Sequence, residues 1–296
     1  MSDFGAEDAA GNQRENLEVE KGTPPGVEMG YEVGDSALRE ESLLVEEPPG
    51  LPTPWSGWWT LLLAVTAVVI FNLGQVLFYL PVQKMFEGLG LAAKAGDLEE
   101  GVNLDGDVVG LVAFLVIFVV CPFCLWVAQM RPGWRGMDYL GSEKVAWWQW
   151  PLWIGVTFGV MILGGVFSQL MGEAETHESM VEMANTTDLP VLLFLGVAIG
   201  APLTEEFIFR GLLFRGWRES PLGLWGTLVV TSALWAAMHG QYGWVQLVVL
   251  FTLGIVFGLA RQRTGSVWVP VGMHFFNNGL AFLGMMYAEK LQQLGS

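Results

Sequence analysis

Residues 189–214 read LPVLLFLGVAIGAPLTEEFIFRGLLF, an apolar run with charged side chains at Glu205, Glu206 and Arg210. A helix of about 20 apolar residues crosses the hydrocarbon core of a bilayer, so this run is long enough to span a membrane. An ionisable group at that depth is costly unless it is paired or in contact with water. The run therefore predicts a transmembrane helix whose charged side chains have a function.

Further apolar runs of similar length lie on either side of this one. They cover residues 58–80, 108–130, 150–171, 222–239, 244–260 and 267–287. The composition agrees, because 52% of the residues are hydrophobic and only 15% are charged, whereas soluble domains carry about 25% charged residues. The mean hydropathy is +0.45. We therefore predict an all-α fold, a polytopic membrane bundle of about seven transmembrane helices, over residues 55–296.

The amino-terminal stretch has a different composition. Residues 1–54 carry 13 acidic and 3 basic side chains, within a chain whose net charge is −16. This stretch also has six prolines and no apolar run, so it has little surface to bury in a core. We expect residues 1–54 to be a disordered acidic tail.

The charges between the runs predict the orientation of the bundle. Arg and Lys side chains concentrate in the second, fourth and sixth connections, whereas the third, residues 172–188, has five acidic residues and no Arg or Lys. Loops rich in Lys and Arg usually face the cytoplasm. We therefore expect a multi-pass protein of the plasma membrane with a cytoplasmic amino terminus and an external carboxyl terminus. The lipid bilayer is its expected partner, and nucleic acid is not.

Helical spacing separates the two adjacent glutamates. Glu206 and Arg210 are four residues apart and share a helix face, whereas Glu205 points about 100° away from them. Arg210 can then neutralise one carboxylate while Glu205, in a cavity of low dielectric, is available as a general base. The alternative interpretation is a buried ion network of the three residues with a purely structural role.

Two later runs add polar residues. His274 and Asn278 are four residues apart, so they share a face and can donate hydrogen bonds to a developing oxyanion. The alternative for this pair is hydrogen bonding between helices. His239 ends the fifth run beside Gly240, a position that also suits an interfacial residue.

The remaining candidates have simpler interpretations. His177 lies in the acidic third connection without a second histidine four residues on, so we expect it to be solvated. Cys121 and Cys124 lie in an apolar run, which favours buried thiols over a redox site. Gly254 and Gly258 have the spacing that lets helices approach closely.

Three motifs, taken in order, resemble those of the CAAX protease and bacteriocin-processing (CPBP) family of intramembrane proteases. In this chain they are Glu205-Glu206 with Arg210, Trp235 with His239, and His274 with Asn278. They define a CPBP-like protease core at residues 189–287. The family usually has phenylalanine where this chain has Trp235, and we expect that difference to alter packing rather than chemistry.

The resemblance implies an intramembrane endopeptidase, a hydrolase that cleaves a membrane-associated protein or peptide. Prenylated CAAX proteins are substrates of some members. The implied roles are water activation for Glu205 and His239, oxyanion stabilisation for His274 and Asn278, and support of the shape of the site for Glu206 and Arg210.

Some members of the family have been described as metalloproteases. For such a mechanism Glu205, His239 and His274 would be three zinc ligands that leave an open position for water. We favour a mechanism without a metal or other cofactor.

A non-catalytic membrane protein is the alternative from another functional class. A transporter, or an immunity or scaffold factor, would use the buried charges for binding. Transporters often contain two halves of inverted topology. No such internal symmetry is visible in this sequence.

The depth of His239 conflicts with the predicted site. If the fifth run starts on the inside at residue 222, His239 lies about 25 Å along the helix axis, near the outer surface. Glu205 and His274 are expected nearer to the middle of the membrane. Either the turn at residues 240–243 is sunk into the bundle, or the predicted limits of the run are wrong.

Overall fold

A computed structural model describes residues 52–91, 105–173, 183 and 185–295, with side chains up to residue 287. The predicted acidic tail lies outside these residues except for 52–54, and His177 lies outside them as well. The helices, in chain order, are α1 Gly57–Gly88, α2 Gly106–Gln129, α3 Gly136–Leu140, α4 Gln149–Met171, α5 Pro190–Arg218, α6 Gly223–Ala237, α7 Trp244–Thr264 and α8 Trp268–Gly295.

Each of the predicted apolar runs falls on a helix. The described residues contain no β-strand, only an isolated bridge between Ser142 and Ser266. By length and composition, five of the described helices can cross a membrane, namely α1, α2, α4, α5 and α7. The predicted helical membrane bundle is confirmed, and seven was an approximate count of its spans.

The fifth apolar run is shorter as a helix than predicted. Helix α6 has 15 residues and ends at Ala237, so it is about 22 Å long, whereas the hydrocarbon core is about 30 Å thick. His239 lies in the turn that follows, where its backbone N–H donates to the Ala236 carbonyl. The predicted limits of this run were approximate, and the helix ends two residues before residue 239. A helix that falls short of the membrane surface also allows the turn after it to lie among the other helices.

Helix α5 is the central helix of the bundle. Half of its most apolar 18-residue window is buried inside the protein, a larger share than in the other candidate spans among the described residues. Small residues permit this burial, because an added Cβ at Gly196 or Gly200 would meet the backbone of α2. The glutamates of α5 are therefore surrounded by protein on most sides.

Two π-helical turns interrupt α5 on either side of the glutamates. They cover Leu195–Gly200 and Phe207–Leu213, and the α-helical segment Ala201–Glu206 lies between them. A π-turn changes the direction of the side chains after it, and such turns are frequent at functional sites.

Helices α6 and α7 pack closely through the predicted glycine pair. An added Cβ at Gly254 would lie 2.8 Å from Cβ of Ser232, and one at Gly258 would collide with Leu228. The prediction that this pair serves helix packing is confirmed. Cys121 and Cys124 are buried free thiols, as predicted.

Candidate active site

Glu206 is the centre of a buried polar cluster. Its Oε1 accepts a hydrogen bond from Nη1 of Arg210 at 3.0 Å and one from Nδ1 of His274 at 2.9 Å. Glu206 and Arg210 are 0% exposed and His274 is 2% exposed. The predicted pairing of Glu206 with Arg210 is confirmed, and His274 joins the same carboxylate from α8.

Arg210 is held from several directions. Its Nη2 donates to the carbonyl of Gly254 in α7 at 3.1 Å. Its guanidinium carbon lies 5.0 Å from the centroid of the Trp235 ring and 5.5 Å from that of Phe257. Cation–π contacts of this kind strengthen when water is excluded. Arg210 is therefore paired with Glu206 and a backbone carbonyl and is packed against aromatic rings.

Glu205 has a separate partner. It is half-buried, and its Oε2 accepts a hydrogen bond from the indole Nε1 of Trp235 at 2.6 Å. The structure corrects the expectation that Trp235 affects packing alone, because phenylalanine has no N–H with which to make this bond. The predicted separation of the two glutamates is seen in their different partners.

His239 is oriented by the helix that precedes it. Its Nδ1 lies 2.9 Å from the backbone oxygen of Trp235. A carbonyl oxygen only accepts hydrogen bonds, so Nδ1 carries a proton, and the neutral ring has its free lone pair on Nε2. In the described part of the chain neither this nitrogen nor Oε1 of Glu205 has a hydrogen-bond partner.

The rings of His239 and His274 both lie against Trp235. Each ring centroid is 5.2 Å from that of the indole. Together with the hydrogen bond to Glu205, these contacts gather three predicted site residues around one side chain. His239, in the turn after α6, and His274, in α8, thus contact the same indole ring. The depth of this turn in the membrane stays a prediction.

Asn278 faces the first π-helical turn of α5. Its Nδ2 donates to the carbonyl of Val197 at 2.9 Å, and its Oδ1 accepts from Nδ2 of Asn277 at 3.0 Å. These bonds hold the amide in one orientation and leave one of its two N–H groups for another acceptor. Asn278 is thus placed by α5, one helical turn beyond His274 on α8.

Tyr242 is a neighbour of the site that the sequence analysis missed. Its ring stacks on His239 with centroids 6.1 Å apart and planes 15° from parallel. Burial raises the pKa of the Tyr242 phenol, and the negative charge of Glu205 raises it further. The phenol is therefore neutral near pH 7 and lies close enough to Glu205 to sense its charge.

Neither Tyr242, which lies between two apolar runs, nor the indole N–H of Trp235 had a sequence signal for a partner in the site. Aromatic side chains are common at the ends of spans for reasons of membrane anchoring. The motif Trp235-His239 marked the position of the indole, but only the fold reveals the partner of its N–H.

A zinc mechanism would use Glu205, His239 and His274 as ligands. Among the described residues no group of three His, Cys, Asp or Glu side chains is placed to hold a metal ion. The indole of Trp235 contacts Glu205, His239 and His274. A carboxylate that binds a histidine, as Glu206 binds His274, orients the imidazole in metal sites and in catalytic sites alike.

Comparison with known proteins agrees with the motifs. A family model described as type II CAAX prenyl endopeptidase, Rce1-like, matches residues 187–280. An uncharacterized 24.3 kDa protein of Escherichia coli is 27% identical over 176 residues, which are 57% of this chain and 76% of that protein. No solved structure matches the chain.

Two further relatives have names that describe an activity. The membrane-embedded CAAX protease MroQ of Staphylococcus aureus is 27% identical over 42% of this chain. The putative membrane peptidase YdiL of Bacillus subtilis is 24% identical over 40% of this chain. This chain matches only 51% and 46% of the lengths of these two relatives. The predicted resemblance is confirmed: residues 187–280, which contain every candidate site residue, match the Rce1-like family of CAAX endopeptidases.

Proposed function

We propose that this protein is an intramembrane endopeptidase that hydrolyses a peptide bond of a membrane-associated protein or peptide. The observation that carries the proposal is the different surroundings of the two glutamates. Among the described residues, Glu206 accepts hydrogen bonds from Arg210 and His274, whereas Glu205 is half-buried and accepts one from a neutral indole N–H. A carboxylate that is not neutralised by a cation is available as a general base.

In the proposed reaction a water molecule is bound between Glu205 and Nε2 of His239. Glu205 takes a proton from the water, and the water oxygen attacks the carbonyl carbon of the scissile bond. The tetrahedral intermediate then collapses, the C–N bond breaks, and the proton passes to the leaving amine. The products are a carboxylic acid and an amine, and the site returns to its starting state.

The developing oxyanion requires hydrogen-bond donors. Nδ1 of His274 donates to Glu206, so Nε2 of His274 can donate only from the imidazolium form. The free N–H of Asn278 is a second donor. Glu206 and Arg210 act by holding His274 in place.

The surroundings favour a substrate that lies in or on the bilayer. The site is built on apolar helices, so a substrate anchored in lipid would reach it without crossing an aqueous phase. Prenylated peptides are among the candidate substrates, in line with the family matched by residues 187–280. We propose that the protein works in the plasma membrane with its amino terminus in the cytoplasm.

The test is cleavage of a library of membrane-proximal peptides, with and without prenyl groups, by purified protein in liposomes. We expect Glu205→Gln and His274→Ala each to lower kcat/KM by about 100- to 10,000-fold, the range for loss of a general base or an oxyanion donor. Glu87→Gln is the matched control, because Glu87 is an exposed glutamate at the end of α1.

Two results would contradict the proposal. One is a wild-type protein that cleaves no peptide of the library, and the other is equal cleavage by wild-type protein and Glu205→Gln. Either result would favour the non-catalytic alternative, in which the buried charges serve binding.

A further inference from the structure

Trp235 contacts the proposed catalytic groups in two different ways. Its indole Nε1 donates to Oε2 of Glu205 at 2.6 Å, and its backbone oxygen accepts from Nδ1 of His239 at 2.9 Å. We infer that Trp235 is a positioning residue that orients both the general base and its histidine partner. The inference rests on the proposed function, since it assigns a role within that site.

The indole is held rigidly enough to position another group. Trp235 is 1% exposed, and its ring contacts the guanidinium of Arg210 and the rings of Phe257 and His274. A buried aromatic ring with two side-chain torsions has little freedom to move once it is packed on several faces. Its N–H therefore points in a fixed direction.

Glu205 gains a single orientation from this bond. A glutamate has three side-chain torsions, and in the described part of the chain no other hydrogen bond restrains this one. A donor at 2.6 Å from Oε2 selects one rotamer and leaves Oε1 for water. Hydrogen bonds to a charged acceptor are short and strong compared with neutral ones.

The backbone carbonyl of Trp235 fixes the tautomer of His239 as well as its orientation. It lies beyond Ala237, the last residue of α6, where the backbone no longer forms regular helical hydrogen bonds. The bond from Nδ1 to the Trp235 carbonyl places the lone pair of the neutral ring on Nε2. The contact between the two rings, at 5.2 Å, restricts rotation of the imidazole. One residue thus aligns two groups that must share a water molecule.

A second buried tryptophan provides the comparison for a structural role. Trp217 is 7% exposed, and its Nε1 donates to the backbone carbonyl of Gly57 at 3.0 Å, linking α5 to α1. That bond joins two helices and involves no ionisable group. The N–H of Trp235 instead binds the side chain proposed to take a proton.

The test compares Trp235→Phe with Trp217→Phe in the liposome cleavage assay. A second variant carries 3-benzothienylalanine at position 235, which keeps the size and shape of the indole but has sulfur in place of N–H. We expect both changes at position 235 to lower kcat by about 10- to 100-fold, the effect of losing one hydrogen bond to a charged group. KM should change less than kcat, because Trp235 positions the base and does not bind the substrate. Trp217→Phe should lower the melting temperature and leave kcat near the wild-type value.

The outcomes separate this inference from the proposed function. If wild-type protein cleaves the peptides, Glu205→Gln abolishes cleavage and the benzothienyl variant retains wild-type kcat, the inference is wrong and the proposed function stands. If Glu205→Gln is as active as wild type, both are wrong. A further prediction of the inference is that Trp235→Phe causes no additional loss when it is introduced into Glu205→Gln. The benzothienyl variant decides the question even if Trp235→Phe fails to fold.

Discussion

At the scale of single residues, Glu205 and Glu206 show how neighbours in sequence acquire different chemistry. The side chains are identical, but Glu206 accepts from a guanidinium and an imidazole, whereas Glu205 accepts from an indole. A buried carboxylate with two such donors is held in one orientation. The partners, and not the residue type, distinguish the two glutamates, and the proposed supporting and reacting roles rest on that difference.

The same residues lead to a prediction about metal. We expect purified protein that has been washed with a chelator to keep its peptidase activity and to contain far less than one zinc ion per chain. The reason is that the predicted ligands, Glu205, His239 and His274, lie around the indole of Trp235 without forming a three-ligand group in the described structure.

Elemental analysis of the same samples used for activity measures the metal directly. The control is the Glu205→Gln protein, which should have the same low metal content. Stoichiometric zinc that disappears together with activity, and returns with it, would overturn the metal-free mechanism.

At the scale of the helices, the site depends on irregular segments as much as on regular ones. The two π-helical turns of α5 flank the glutamates, and the carbonyl of Val197 in the first turn accepts from Asn278. The short helix α6 ends before His239. Regular helices of full length would place neither Asn278 nor His239 by these contacts.

The contact between α6 and α7 yields a prediction for stability. We expect Gly254→Val to destabilise the protein by roughly 1–3 kcal/mol, as overpacking of a close contact does. The new side chain would meet Cβ and Cα of Ser232, push the helices apart and disturb the hydrogen bond from Arg210 to the Gly254 carbonyl. Thermal unfolding in detergent and peptide cleavage should both report the change.

The matched control is Gly279→Ala in α8, where an added Cβ has no atom within 4 Å. This variant should keep the wild-type melting temperature or exceed it, because alanine favours helix over glycine. A Gly254→Val protein as stable and active as wild type would mean that α6 and α7 do not need this close approach.

At the scale of the whole molecule, the bundle surrounds one polar helix with apolar ones. Helix α5 carries the buried pair Glu206 and Arg210, and α2, α6, α7 and α8 supply the groups around it. This arrangement keeps lipid away from the charges, as the high cost of an ionised group in hydrocarbon requires.

The orientation of the bundle in the membrane is a prediction of the loop charges. We expect a cysteine at Ala146, in the second connection, to be protected from a membrane-impermeant maleimide in intact cells and labelled after lysis. A cysteine at Ala174, in the third connection, should be labelled in intact cells. Loops rich in Lys and Arg stay on the cytoplasmic side. The third connection has no Lys or Arg, so this preference does not hold it there.

The labelling uses a background in which Cys121 and Cys124 are replaced by alanine, although both native thiols are buried. A protein with neither new cysteine gives the background signal. The reverse labelling pattern would place the amino terminus outside and overturn the proposed orientation.

Sequence alone predicted the class of fold and pointed to the candidate site residues. Hydrophobic length predicts membrane helices because the thickness of the bilayer is a fixed external measure. The four-residue spacing of Glu206 and Arg210 predicts their contact because both lie on one helix. The order and spacing of the three motifs are enough to indicate the family resemblance and to single out all six candidate site residues.

Tertiary structure alone decided which groups meet across helices. The bond of His274 to Glu206, the hydrogen bond of Trp235 to Glu205 and the position of His239 beyond the end of α6 each depend on how separate helices pack. Such contacts join residues far apart in the chain, and their geometry depends on helix ends and π-turns that shift a side chain by a fraction of a turn. Periodicity along one helix contains no information about its rotation against the next, which is why the partner of each glutamate became visible only in the folded protein.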